Sequence, residues 1–172
     1  ERPDESGGWT FHHLCHQLNE ATIIINSKPV SVYHSWHKSC PETPSEEIIN
    51  SMIQFENGAT AHLADGTSLG KFQDMGLQGT DADLRLQNNI LEVVVAGPHD
   101  PNGRPGNRKG KSTTYEVPKE GKKVKTVAAE FAKAVRGVEN NLLSFEFIRH
   151  QYLTLAAMRK SAETNQVVPI EG

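Results

Sequence analysis

The chain has 172 residues, of which 36% are hydrophobic and 23% charged, and its formal net charge is -3. That length suits one hydrophobic core, so a single domain over residues 1–172 is expected. The slight negative charge argues against a nucleic-acid partner, which would meet a basic face. No apolar run approaches the roughly 20 residues of a membrane-crossing helix, so no membrane partner is expected. Two cysteines, Cys15 and Cys40, allow at most one bridge and no disulfide framework. The first methionine is Met52 and the text opens "ERPDESGG", without an initiator or signal peptide. The expectation is a piece of a longer protein, cytoplasmic by default, with export left open by the missing N-terminal region.

Taken in order, the elements begin after Gly7-Gly8 with a helical pattern from about Trp9 to Ile25. Phe11, Leu14, Leu18, Ala21, Thr22 and Ile25 form one broad stripe at about 100° per residue, and His12, His16, Asn19 and Ile23 form a second row outside it. One face can bury while another looks into a cleft. From Val30 to His37 the period becomes two, which predicts a strand. "EEIINSMIQFENGATAHLADG" reads as two strands joined at Asn57-Gly58, a pair suited to the positive φ angles of a hairpin turn. "KFQDMGLQG", "ADLRLQ" and "ILEVVV" follow as strands, with Asn88-Asn89 as a further turn. Ala96 to Ser112 is rich in Gly, Pro, Asn and basic residues and is expected to be a long loop. "TTYEV" is a short strand. A helix from Val124 to Val135 stops at Gly137, and another from Ser144 to Thr164 opens on the Ser144 cap. "QVVPI" closes the chain as a strand. This order predicts an α+β fold, with helices packed on one face of a mainly antiparallel open sheet.

The run "HHLCH" raises three chemistries. As a metal site it has His12 and His16 four apart on one helical face, but the glutamate of a hydrolytic zinc helix is replaced by His13. A third ligand from His34, His37 or Asp65 has no spacing to anchor it, so no metal is expected and a metal-dependent hydrolase is the weakest alternative. As an acid/base site, His16 brings an imidazole, a group able to take or return a hydroxyl proton at working pH, with His12 or Asn19 to orient it. As surface, the histidines need have no role. Cys15 falls among the stripe residues and reads as a small buried hydrophobe. "GRPGNRKGKS" lacks the first glycine of a phosphate loop, because Pro105 stands there, and a strand rather than a helix follows.

"GGWTFHHLCHQLN" resembles the start of the C-terminal domain of the Gfo/Idh/MocA family of NAD(P)-dependent oxidoreductases. The family pattern is a glycine pair, three residues, Asp, three residues usually including Gly, His, two residues, Asp. Gly7-Gly8 match the pair and His16 falls on the histidine. His12 stands in place of the first Asp, Leu14 of the Gly and Asn19 of the second Asp. "IQFENGATAHL", "MGLQGTDADLRL", "FAKAVRG" and "LSFEFIRHQYLTLAAMRKSAETNQVVPI" are similar, in order, to the later strands and helices, so the resemblance spans nearly the whole chain.

The resemblance implies a substrate-binding and oligomerisation domain whose partner, an N-terminal Rossmann domain absent from this chain, binds most of NAD or NADP. It implies a sugar, inositol or related polyol substrate, His16 as the catalytic acid/base, His12 and Asn19 as substrate contacts, and a homo-oligomer formed through the sheet. Within the chain itself no Gly-x-Gly-x-x-Gly lies between a strand and a helix, so no dinucleotide site of its own is expected. With His12 in place of Asp, the neighbour of His16 is no longer an anion able to stabilise imidazolium. The alternatives are a nicotinamide-dependent glycosidase of the same family and a non-catalytic dimerisation module.

Overall fold

The computed structural model describes residues 8–38, 41–66, 74–97, 110–117, 123–140 and 143–172. In chain order the elements are a π-helical turn (Thr10–Leu14) leading into α1 (Cys15–Ile25), β1 (Pro29–His37), β2 (Ile48–Phe55), β3 (Thr60–Gly66), β4 (Asp74–Gln78), β5 (Ala82–Gln87), β6 (Ile90–Val95), β7 (Lys111–Glu116), α2 (Lys123–Val135), α3 (Phe145–Thr164) and β8 (Val168–Pro169). The chain divides into two compact units, residues 1–70 with 141–172, and residues 71–140. The antiparallel α+β architecture is the one the element order predicts. The strands, however, form two four-stranded sheets, β3-β2-β1-β8 and β4-β5-β6-β7.

In the first unit every strand pair is antiparallel, with Val32 opposite Ile53, His34 opposite Ser51 and Trp36 opposite Ile49. Alternation along β2 puts Ile49, Ser51, Ile53 and Phe55 on the buried face. Leu14 and Leu18 from the opening helix, and Leu155 and Met158 from α3, close over Val32, Ile49, Ile53 and Phe55, and all of these join one core. The predicted stripe is realised in part: Leu14, Leu18 and Thr22 are buried, while Phe11, Ala21 and Ile25 lie half-buried at its margins. Fully burying a side chain the size of Leu or Met contributes about 1.5–3 kcal/mol, so the opening helix is held mainly by this stripe. Gln151 Nε2 donates to Thr22 Oγ1 (3.1 Å), tying α3 to α1.

Two local expectations came out differently, and a third, the Asn88-Asn89 turn, is found. The helix predicted from Trp9 to Ile25 is regular α-helix only from Cys15, because its first turn is widened to π geometry. At the β2–β3 hairpin only Gly58 takes positive φ (+86), and the loop is closed by Phe55 N–H to Ala59 O and Gly58 N–H to Phe55 O. The two-residue turn with both φ positive is instead Asn88-Asn89 (φ 50 and 64), between β5 and β6.

The second unit contains an up-and-down meander, β4 to β7, and α2. Register sets Met75 and Leu77 of β4 against Leu86 and Leu84 of β5, which in turn face Leu91 and Val93 of β6. The expected loop from Ala96 to Ser112 lies mostly outside the described residues, as do Arg104, Arg108 and Lys109; β7 begins at Lys111. Gly7 and Cys40 are also outside them. None of the described helices is long and apolar enough to cross a membrane.

Candidate functional site

The opening turn and α1 carry the predicted residues on a surface whose opposite side is locked into the core. Gly8, in the left-handed region at φ +78, swings the chain into the helix, and a Cβ built there would stand 2.5 Å from Glu46 Oε2. The Glu46 side chain is buried, and its Oε1 accepts from the Thr10 backbone N–H (2.8 Å) and the Thr10 hydroxyl (2.7 Å). A helix leaves its first N–H groups without internal partners and favours negative charge there, so Glu46 acts as a cap delivered from a distant loop. Behind it lies His34, 0% exposed, with Nε2 3.3 Å from Thr10 Oγ1 and Nδ1 2.7 Å from Ser51 Oγ.

His16 projects from the first turn of α1 and is exposed. His12 is exposed on the π-helical turn and meets His13 edge to face, ring centroids 5.8 Å apart. Asn19 is half-buried on the next turn of α1. The three predicted residues therefore share one helix and its outer surface. Widened turns of this kind recur at functional sites, since they re-aim side chains that a regular helix would fix.

Two groups escaped the sequence. His13 stacks flat on Trp9, centroids 4.0 Å apart and planes 4° from parallel, and its Nδ1 lies 3.6 Å from Asp65 Oδ2. Gln17 Nε2 holds the same carboxylate oxygen at 2.8 Å. His13 thus has a carboxylate neighbour in Asp65. Asp65, at the end of β3, carried no local signal of this role. His34, weighed above as a metal ligand, is a core histidine satisfied by two hydroxyls, and among the described residues no group of three or more His, Cys, Asp or Glu is gathered as metal ligands would be. Cys15 is half-buried against the core, and burial raises its thiol pKa, so it is a packing residue rather than a ready nucleophile.

This arrangement, an antiparallel α+β body headed by a histidine-bearing helix, defines a fold shared with solved oxidoreductase structures. No family model matches the chain, and no curated protein matches its sequence. Among solved structures it is similar to UDP-N-acetylglucosamine 3-dehydrogenase from Acidithiobacillus ferrooxidans, with TM-score 0.75, 16% identity, and coverage of 95% of this chain and 51% of that one. It is similar to levoglucosan dehydrogenase in complex with NADH and levoglucosan, with TM-score 0.71, 16% identity, and coverage of 95% and 50%. An NAD-binding protein from Listeria innocua matches with TM-score 0.69, 20% identity, and coverage of 96% and 48%. The chain therefore spans about half the length of the structures it matches. At these identities the likeness is one of fold.

Proposed function

We propose that this chain is the C-terminal, substrate-binding domain of an NAD(P)-dependent oxidoreductase of the Gfo/Idh/MocA type, acting on a hydroxyl of a sugar, inositol or related polyol. The observation that carries it is His16: an exposed imidazole on the opening helix, at the family's spacing from Gly7-Gly8, in a fold shared with dehydrogenases. Imidazole can take a hydroxyl proton as hydride leaves the same carbon, and return it in reduction. His12 and Asn19 are the hydrogen-bonding neighbours that would orient the hydroxyls. Nicotinamide, when bound, supplies the hydride chemistry. In this reading an N-terminal Rossmann domain holds most of the cofactor.

The test uses the complete protein. Replacing His16 by Ala should lower turnover with nicotinamide cofactor and a polyol panel by about 10²–10⁴-fold, the usual weight of a positioned acid/base. An unchanged rate removes His16 from the chemistry. A homo-oligomer formed through a sheet belongs to the same proposal. It is supported by the apolar row Met75, Leu77, Leu84, Leu86, Leu91 and Val93, aligned by register on β4, β5 and β6. Light scattering that returns a strict monomer at high concentration would set that part aside.

The exchange of two family carboxylates for His12 and Asn19 favours one second reading, nicotinamide-dependent glycoside cleavage. Product analysis separates the two: net oxidation of cofactor marks the dehydrogenase, and sugar release without net oxidation marks the glycosidase.

A further inference from the structure

The group of buried side chains behind the opening helix has a direction. The Thr10 hydroxyl donates to Glu46 Oε1 (2.7 Å), so its oxygen receives the His34 Nε2 hydrogen, and this assigns His34 Nδ1 as acceptor for the Ser51 hydroxyl. The chain of donors runs from Ser51 through His34 and Thr10 to Glu46. Ser161 of α3 anchors the same residue, its hydroxyl accepting the His34 backbone N–H at 2.8 Å. Around the ring the described partners are Thr10 from the opening turn, Ser51 and the Asn50 backbone from β2, and the Trp36 ring from β1, none of which titrates, while Ser161 of α3 holds the main chain of the same residue. Glu46 is the one charged side chain in the chain of donors.

We propose that Glu46 and His34 are positioning residues for the helix that carries His12 and His16, and that the Ser51–His34–Thr10–Glu46 chain is a latch that releases the first turn of that helix in acid. A second proton on His34 would set an N–H against Ser51 Oγ, strip the Ser51 hydrogen of its acceptor, and place a cation in the core. Burial holds the imidazole down, to about 4, with the Glu46 charge and the Asn50 backbone pulling the other way. The sign follows. A released His34 takes its proton near the ordinary 6.5 and a seated one only near 4, so seating is full above this window and weakens as pH falls through it. The functional reading enters only in naming this helix surface a site; the seating stands apart from catalysis.

Amide hydrogen exchange on this chain tests it without any turnover. Corrected for intrinsic rates, the Trp9–Leu18 segment should exchange about ten- to hundredfold faster at about pH 4.5 than at about pH 7, ahead of the Leu155–Met158 segment of α3. His34→Gln, which cannot take up a proton there, should abolish the acid increment. If that variant does not fold, Thr10→Ser and Thr10→Val decide: the hydroxyl-keeping variant should retain the increment and the valine variant lose it. Glu46→Gln should speed exchange of the same segment at about pH 7. An increment that persists in His34→Gln or Thr10→Val overturns the latch. So does a common rate for both segments, because the helix then leaves only when the whole fold does. Loss of the latch would leave the His16 turnover result standing, and the reverse, so the two proposals fail separately.

Discussion

Gly8 is the residue on which the opening helix turns. Its φ of +78 is costly for any residue with a Cβ, and the space a Cβ would need is held by Glu46 Oε2 and Oε1, at 2.5 and 2.8 Å. Glu46 cannot simply swing away, because its carboxylate caps Thr10. Gly8→Ala should therefore destabilise the chain by about 2–4 kcal/mol, combining backbone strain with overpacking. Urea denaturation checks this, and a loss under about 0.5 kcal/mol would mean that the carboxylate is not held as described. The glycine pair is legible as a pattern in the sequence, but its physical reason is not. Glu46 is 36 residues from Thr10, and in "PSEEI" nothing local distinguishes the buried Glu46 from its neighbour Glu47. The same holds for Asp65, which acquires a partner in His13 only when β3 is laid beside the helix. His16 is singled out by spacing and lies exposed on α1, whereas His34, weighed as a metal ligand, is a core residue.

Elements whose signals are local came through closely. Ser144 caps α3, its hydroxyl accepting the Phe147 N–H at 3.1 Å, and Asn165 ends the helix in the left-handed region at φ 54. Ser144→Ala should cost about 1 kcal/mol and Ser144→Asp should keep most of it, both read from denaturation midpoints. Turns were less legible. An Asn-Gly pair signals a hairpin, but loop length decides the turn, and the longer β2–β3 connection asks for positive φ only at Gly58. The tight turn fell to Asn88-Asn89, both at positive φ, which asparagine tolerates and glycine prefers. Asn89→Gly should thus stabilise the β5–β6 hairpin by roughly 0.5 kcal/mol, less any gain in unfolded-state entropy. An upward shift of the midpoint with an unchanged denaturant slope would show it.

Across the whole molecule, chain order and spatial order part company, and this is where sequence patterns say least. Period-two alternation tells which side of a strand is buried but not which strand lies beside it. The strands therefore read as one sheet, and the eight among the described residues are found as two four-stranded sheets. The first unit is discontinuous: α3 and β8 come after the entire second unit, yet they supply Leu155, Met158 and Val168 to the core built by Leu14, Leu18, Val32 and Ile53. β8 also pairs with β1 at Ser31 and Val32, and Ser161 on α3 holds the His34 backbone. A fragment ending at Asn140 loses all of these together. Leu or Met truncation at a single such core position costs about 2–5 kcal/mol, against a typical total stability of about 5–15 kcal/mol. The 1–140 fragment should therefore leave the first unit unfolded, with exchange of the Val32 and Ile53 amides at unprotected rates. Adding the 141–172 segment as a separate peptide should restore protection there if α3 and β8 carry that part of the core. Protected β1 and β2 amides in the fragment alone would place the core's support within the first 70 residues instead.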